Sequence, residues 1–198
     1  LRMNLQYLQS ANPEASEFQE ALEDMLEDQA NADDLVSRTI DKLREKRSRV
    51  TQEFDVVEVV QNVVLKHSDR LAITMGGEVS SFIARGDPDL IKESIGDVLT
   101  NAIEAGATRV NIDLHAKDSN RLIEITLQDN GPGIPKALQN DLFHAFSTAH
   151  KVNGTGLGLY LTKRRIELAN GTIETLPRSE GEGAVFAIRL PSGREIPQ

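Results

Sequence analysis

The sequence predicts an α+β protein in two parts: a helical hairpin over residues 1–52 and an α/β sandwich over residues 53–198. Three observations carry this. Residues 1–50 contain no Gly and a single Pro, Pro13, and their apolar residues recur at helical spacing. From Phe54 onward, short alternating runs take turns with helical ones. The glycines collect in this second part, most densely in Asp129-Asn130-Gly131-Pro132-Gly133-Ile134 and in Asn153-Gly154-Thr155-Gly156-Leu157-Gly158.

In the first part, Leu1, Leu5 and Leu8 begin one helical stripe. Phe18, Leu22, Met25, Ala32, Val36, Leu43 and Val50 form a second, with Gln29 and Thr39 or Ile40 filling its gaps. Leu26, Leu35 and Ile40 widen that stripe beyond a two-stranded seam, which favours a bundle core. Between the runs, Ser10-Ala11-Asn12-Pro13-Glu14 reads as a turn, with Pro suited to the first turn of the next helix. One hairpin buries little apolar surface, so the expected partner is a second copy, giving a dimeric four-helix bundle. Folding back on the C-terminal part is the alternative. Residues 14–34 carry only acidic charges and 38–49 mostly basic ones, which complements a helix dipole without any acidic-partner site.

In the second part, Val56, Val57, Val59, Val60, Val63 and Val64 are helically spaced behind Asp55, a plausible N-cap. Leu71–Met75 and Phe82–Arg85 read as strands. Asp87-Pro88 opens a helix running to about Ala105, which Gly106 ends. Val110, Ile112 and Leu114 alternate with polar residues, as do Ile123, Ile125 and Leu127. A helix starts near Leu157, and strands close the chain around Ile173–Leu176 and Ala184–Leu190, where Phe186, Ile188 and Leu190 share a face. The expected result is one mixed sheet with helices on one face.

Composition narrows the function. Hydrophobic residues are 39% and aromatics 4%, without Trp, so the core is aliphatic. A net charge of −9 argues against a general nucleic-acid binder, though a local amide-lined pocket in an acidic protein still accepts phosphate. Without Cys, disulfides, thiolate metal sites and a Cys nucleophile are excluded, and a reducing, cytoplasmic setting is expected. No apolar run approaches the roughly 18 residues of a membrane span. The chain opens at Leu1 inside a helical pattern, so it is read as a piece of a longer protein, with any membrane anchor outside it.

The glycine-rich stretches raise the question of chemistry. A Walker A loop requires Lys after its last Gly, and none follows Gly158. A dinucleotide fingerprint requires Gly-x-Gly-x-x-Gly after a strand, whereas Gly154, Gly156 and Gly158 alternate after a polar segment. A flexible turn before a helix remains a sufficient reading of these glycines alone. Two further stretches add to it. Asp129 closes a strand-like run just before Gly131 and Gly133, where a carboxylate can accept from an exocyclic amine while the backbone lies close to a flat ring. Asp97 and Asn101 stand four apart on one helical face, and Asn101 lies among Leu99, Ala102 and Ala105, where an amide must find a partner. Mg²⁺ bound to phosphate oxygens would supply one.

Together, Asn101, the Asp129-x-Gly131-x-Gly133 stretch and the three alternating glycines resemble the N, G1 and G2 boxes of the GHKL ATP-binding superfamily, and more narrowly the catalytic domain of sensor histidine kinases. Leu142-Phe143-His144-Ala145-Phe146-Ser147-Thr148 is similar to that family's F box, and Gly86-Asp87-Pro88-Asp89-Leu90 to the entry of its N-box helix. The resemblance covers about 54–190, and residues 1–50 resemble most of a dimerisation and histidine-phosphotransfer hairpin.

The resemblance implies two cofactors, ATP and Mg²⁺. By it, Asp129 accepts the adenine amino group, Gly131, Gly133 and Ile134 lie against the base, and Asn101 holds Mg²⁺, with Ala105 beside the nucleotide. Gly154, Thr155, Gly156, Leu157 and Gly158 shape the end of an ATP lid over about 135–153 and bring amides to the phosphates. Lys151 lies in that lid and could reach the γ-phosphate, although a solvated lysine is the simpler reading. Arg164 and Arg165 read as helix-surface charges. Asp97 stands where these kinases often have Asn and some superfamily ATPases have an acid that activates water, so metal binding, acceptor polarisation and a structural network all stay open.

The implied chemistry is phosphoryl transfer to a histidine and then to an aspartate of a response regulator, within a homodimer and without nucleic acid. None of His67, His115, His144 and His150 fits the acceptor, which the family pattern places two residues before Leu1. Two lesser departures are Ala184, where similar sequences often carry Thr, and Glu104, where they often carry a base. The alternatives are a nucleotide-binding scaffold or pseudokinase that controls a partner, suggested by the missing histidine, and another GHKL ATPase, suggested by Asp97.

Overall fold

A computed structural model describes residues 51–76, 81–118, 121–139, 141–145, 147, 156–178 and 181–193. The expected hairpin, residues 1–50, lies outside the described residues, as do Thr148, His150, Lys151, Gly154 and Thr155 of the expected lid. The described elements are β1 (Gln52–Asp55), α1 (Val56–His67), β2 (Ala72–Gly76), β3 (Ile83–Gly86), α2 (Pro88–Glu104), β4 (Arg109–Lys117), β5 (Leu122–Asp129), a short 3-10 turn (Lys136–Leu138), α3 (Gly158–Leu168), β6 (Thr172–Thr175) and β7 (Val185–Pro191).

Five strands form one mixed sheet in the order β2-β4-β5-β7-β6, with β2 parallel to β4 and the other pairs antiparallel. Register explains how the core forms. Leu114 stands opposite Ile125 and Ile112 opposite Leu127. Ile125 in turn faces Ile188, and Leu127 faces Phe186. Because side chains alternate along a strand, one register places every one of these apolar residues on one face. That face shares a single core with Val56, Val60 and Val63 of α1, with Ile91, Ile95, Val98 and Leu99 of α2, and with Ile166 of α3. The core is aliphatic apart from Phe186, as composition led one to expect.

The opposite face carries polar partners. Glu124, opposite Arg189 across β5 and β7, is only 6% exposed. Arg189 Nε donates to it at 2.8 Å, and Lys117 Nζ lies 3.2 Å away. Burial works to raise the Glu124 pKa, but the hydrogen bonds from Arg189 and Lys117 outweigh it and hold the carboxyl below its ordinary 4.5. Arg189 also donates to Glu174 at 2.5 Å, and Glu174 and Glu124 together raise its pKa.

Local signals set the helix ends. The Asp55 carboxylate accepts from Val57 N at 2.9 Å and caps α1, while Asp87 accepts from Asp89 N and Leu90 N and caps α2. Helix α2 stops at Gly106, whose φ of 88° suits only Gly without strain, and the Ala107 amide donates back to Ala102 O at 2.9 Å.

Strand β1 was not expected: the sequence places the boundary between its two parts at 52/53, inside this strand. It pairs antiparallel with β3 as a separate two-stranded sheet. That small sheet is tied to the end of β7 by an Ala84–Ser192 bridge and by Gly193 N donating to Ile83 O at 2.8 Å. The structure therefore has two sheets where the sequence predicts one. What makes Gln52–Asp55 extended is its pairing with β3, some thirty positions away along the chain.

Candidate functional site

The end of β5 is bound to the loop before β7. Asp129 is 8% exposed, and its Oδ1 accepts from Gly131 N at 2.8 Å and from Ala184 N at 3.1 Å. Its backbone amide donates to Ala184 O at 3.0 Å. Its Oδ2 has no hydrogen bond among the described residues. A carboxylate oxygen can accept further hydrogen bonds, so a ligand amine would suit that position.

Asn130 fastens the same strand end to the turn after α2. Its Oδ1 accepts from Thr108 N and Arg109 N, both at 2.9 Å, and its Nδ2 donates to Thr108 Oγ1 at 3.1 Å. Gly131 lies against Ala107 in that turn. The Asp-Asn-Gly triplet therefore joins three segments: Asp129 to the β7 loop, Asn130 to the α2–β4 turn, and Gly131 between them.

Close backbone approach accounts for two of the glycines. A Cβ at Gly183 would lie 1.9 Å from Asp129 O, and the residue has φ of 81°. A Cβ at Gly133, φ 82°, would lie 3.2 Å from Gly183 O. Gly183 was missed in the sequence, although Gly181-Glu182-Gly183 just ahead of the last strand was a usable signal. Ala184 serves here through its backbone, so the Ala-for-Thr departure leaves this contact intact.

The other end of the candidate site is built differently. Asn101 is half-buried on α2, and its side-chain amide makes no hydrogen bond among the described residues. Ala105, the C-cap of α2, is exposed, and Ile134 packs against the core from the loop beyond Gly133. Gly156 has φ of 68°, a conformation that favours Gly. Leu157 is the N-cap of α3 and gives its first turn no side-chain hydrogen bond. Among the described residues a Cβ at Gly158 would meet nothing within 4 Å, so their packing does not require Gly there. Among the described residues no group of three or more His, Asp or Glu could hold a metal ion, so any cation here depends on ligand and water oxygens beside Asn101.

Asp97, one turn before Asn101, is bonded to α3. Its Oδ2 accepts from Thr162 Oγ1 at 3.1 Å and is paired with Arg165 Nη1, while Arg165 Nε lies 3.4 Å from Glu93. Arg165 therefore differs from its sequence reading as a surface charge: it bridges two helices. Nothing in local sequence pairs positions 68 apart. In the F-box stretch, Phe143 packs edge-on against Phe186 at 6.4 Å between ring centres, with Lys163 Nζ 5.8 Å from its ring.

A mixed sheet whose apolar face packs against three helices, with a buried carboxylate and close-set glycines at the end of β5, makes this an α/β sandwich. Residues 86–194, more than half of the chain, match the family described as histidine kinase-, DNA gyrase B-, and HSP90-like ATPase, and the chain belongs to that family. The chain is 27% identical to the sensor protein kinase PilS of Pseudomonas aeruginosa over 187 residues, 88% of this chain and 34% of PilS. To the signal transduction histidine-protein kinase AtoS of Escherichia coli it is 39% identical over 110 residues, 53% of this chain and 17% of AtoS. Among solved structures, the mycobacterial sensor histidine kinase MprB superimposes with a TM-score of 0.60 at 25% identity, over 72% of this chain and 98% of that one. The chain thus spans about a third or less of the curated relatives it matches. The chain carries that ATPase domain, and the curated relatives it matches are sensor kinases.

Proposed function

We propose that this domain binds Mg-ATP and passes the γ-phosphoryl group to a histidine on a dimeric helical hairpin, from which it moves to an aspartate of a response regulator. The observation that carries this reading is Asp129, buried and anchored through Oδ1 while Oδ2 is left for an amine. In it, adenine sits between Asp129 and the glycines at 131, 133 and 183, beside Ile134 and Ala105. Asn101 contributes the metal-side amide oxygen, and the amides from Gly156 to Gly158 face the phosphates. Lys151, Gly154 and Thr155 belong to the same phosphate end by sequence. Mg-ATP supplies the phosphoryl group, and the protein supplies position and charge neutralisation. The transfer breaks the bond between the γ-phosphorus and the β,γ-bridging oxygen, forms one to an imidazole nitrogen and releases ADP.

In this reading the hairpin lies ahead of β1 and the catalytic domain starts with that strand, and the protein acts as a homodimer on the cytoplasmic side. No helix among the described residues is long and apolar enough to cross a membrane. The test supplies γ-labelled ATP, Mg²⁺ and a separate hairpin carrying a histidine. Label on the hairpin is the expected result, and ATP binding without any transfer would overturn the kinase reading. That second outcome would favour a regulatory scaffold, an alternative motivated by the absence of a fitting acceptor among the four histidines. Steady hydrolysis without acceptor would favour a superfamily ATPase instead.

A further inference from the structure

Asp97 and Thr162 join α2 to α3 at a point that matters for the phosphate end of the site. Asp97 lies one turn before Asn101 on α2. Thr162 lies one turn after Gly158 on α3 and is fully buried. Its hydroxyl contacts both Gly158 O, at 2.9 Å, and Asp97 Oδ2, at 3.1 Å. One helical turn is about 5.4 Å, so this junction is about that far along each helix from Asn101 and from the α3 N-terminus. Helices are stiff over one turn, so a fixed junction fixes the gap between the two groups expected to bracket the phosphates.

The junction is built from charge. Arg165 reaches Asp97 through Nη1 and Glu93 through Nε, and Asp97 and Glu93 are one turn apart on α2. A guanidinium fork held by two carboxylates of one helix resists both sliding and rotation of α3 better than a single contact. On the Asp97 carboxylate, Oδ2 is already engaged by Thr162 and Arg165, an arrangement suited to holding a helix and poorly suited to activating water.

We propose that Asp97 is a positioning residue: with Arg165 and Thr162 it forms a clamp that sets the α3 N-terminus at the correct distance from Asn101 for a metal-bound triphosphate. The proposal rests on the nucleotide reading above, and two measurements separate the two. The first needs no nucleotide. In the free 198-residue chain, hydrogen exchange of the Leu161 amide, bonded to Leu157 O at 2.9 Å, should rise about tenfold in Asp97→Ala and in Arg165→Ala. It should not rise further in the double variant, and the exchanged pair Asp97→Arg with Arg165→Asp should recover much of the protection. Unchanged exchange in the single variants, with wild-type circular dichroism, would overturn the clamp whatever the chain binds.

The second measurement is affinity for a fluorescent ATP analogue, with and without Mg²⁺. The clamp variants should lose about tenfold in the presence of Mg²⁺ and little for adenosine, because the Asp129 end does not move. Transfer to a hairpin supplied in trans should show the loss in KM more than in kcat at saturating ATP. An Asp97→Asn variant with wild-type Mg-ATP affinity but abolished turnover would overturn the clamp in favour of a chemical role for the carboxylate. If the wild-type chain binds no ATP analogue, the nucleotide reading fails, and with it the functional half of the clamp.

Discussion

The two ends of the candidate site are held by different forces. At the Asp129 end, backbone amides do most of the holding: Gly131 N and Ala184 N donate to Oδ1 of Asp129, and Thr108 N and Arg109 N to Oδ1 of Asn130. The geometry there is formed before any ligand arrives. At the Asn101 end, the amide is half-buried without a hydrogen bond among the described residues, and the helix opposite starts at glycines without a side-chain cap. One end is a preorganised socket. The other is a set of donors and acceptors awaiting charge. Mutations should therefore cost stability at the first end and only function at the second.

The largest expected effect is at Gly183. Gly183→Ala forces a Cβ into Asp129 O at a positive φ, and we expect a loss of about 3 kcal/mol or more in urea unfolding, with nucleotide binding abolished. A near-wild-type midpoint would show that the socket is softer than described. Asp129→Asn keeps one oxygen for the two backbone donors but presents an NH₂ group to the ligand amine. ATP affinity is expected to fall about a hundredfold while stability changes by about 1 kcal/mol. Retained affinity in titration calorimetry would remove the adenine role.

Asn101→Ala is expected to weaken Mg-dependent ATP binding about tenfold or more, with stability within about 0.5 kcal/mol of wild type, because the amide makes no hydrogen bond among the described residues. A large fall in thermal midpoint would place Asn101 among structural residues and blur the contrast. Gly158→Ala should stabilise the chain by about 0.5–1 kcal/mol, since the added methyl meets none of the described residues and the helix gains a better first residue. If phosphates approach that turn closely, the same change lowers Mg-ATP affinity, so gain in stability with loss in binding is the expected signature.

The smallest effect lies away from the site and serves as a control. The Glu124 carboxyl titrates below 4.5 in the folded chain, so its stabilisation is complete above that value and is lost as pH falls through the folded one. Glu124→Gln should flatten that part of the acid unfolding curve and leave ATP affinity at neutral pH unchanged. An unaltered acid limb would mean that the Arg189 and Lys117 contacts do not persist in solution.

Legibility in the sequence followed the range of the interaction. Helices α1 and α2 were readable with their caps at Asp55 and Asp87, because capping is decided within three residues. Strands β4, β5 and β7 were readable because strict alternation marks a strand with one buried face. Strand β1 was not, since only pairing with β3 makes Gln52–Asp55 extended. Within the site, Asp129, Gly131, Gly133 and Asn101 stood out from local chemistry. Gly183 and Arg165 did not, because their partners are Asp129 and Asp97, far away along the chain.

By itself, then, the order of residues determined the described helices and the strands of the larger sheet, an aliphatic core, and a carboxylate with glycines at a strand end. All of these arise from contacts within a few positions or from simple periodicity. Only the tertiary structure decided that Oδ1 of Asp129 would be consumed by Gly131 and Ala184 while Oδ2 found no partner among the described residues, and that Asp97 would turn to Arg165. Those choices depend on which distant donors the folded sheet and helices bring within hydrogen-bonding distance, and no local pattern encodes that distance.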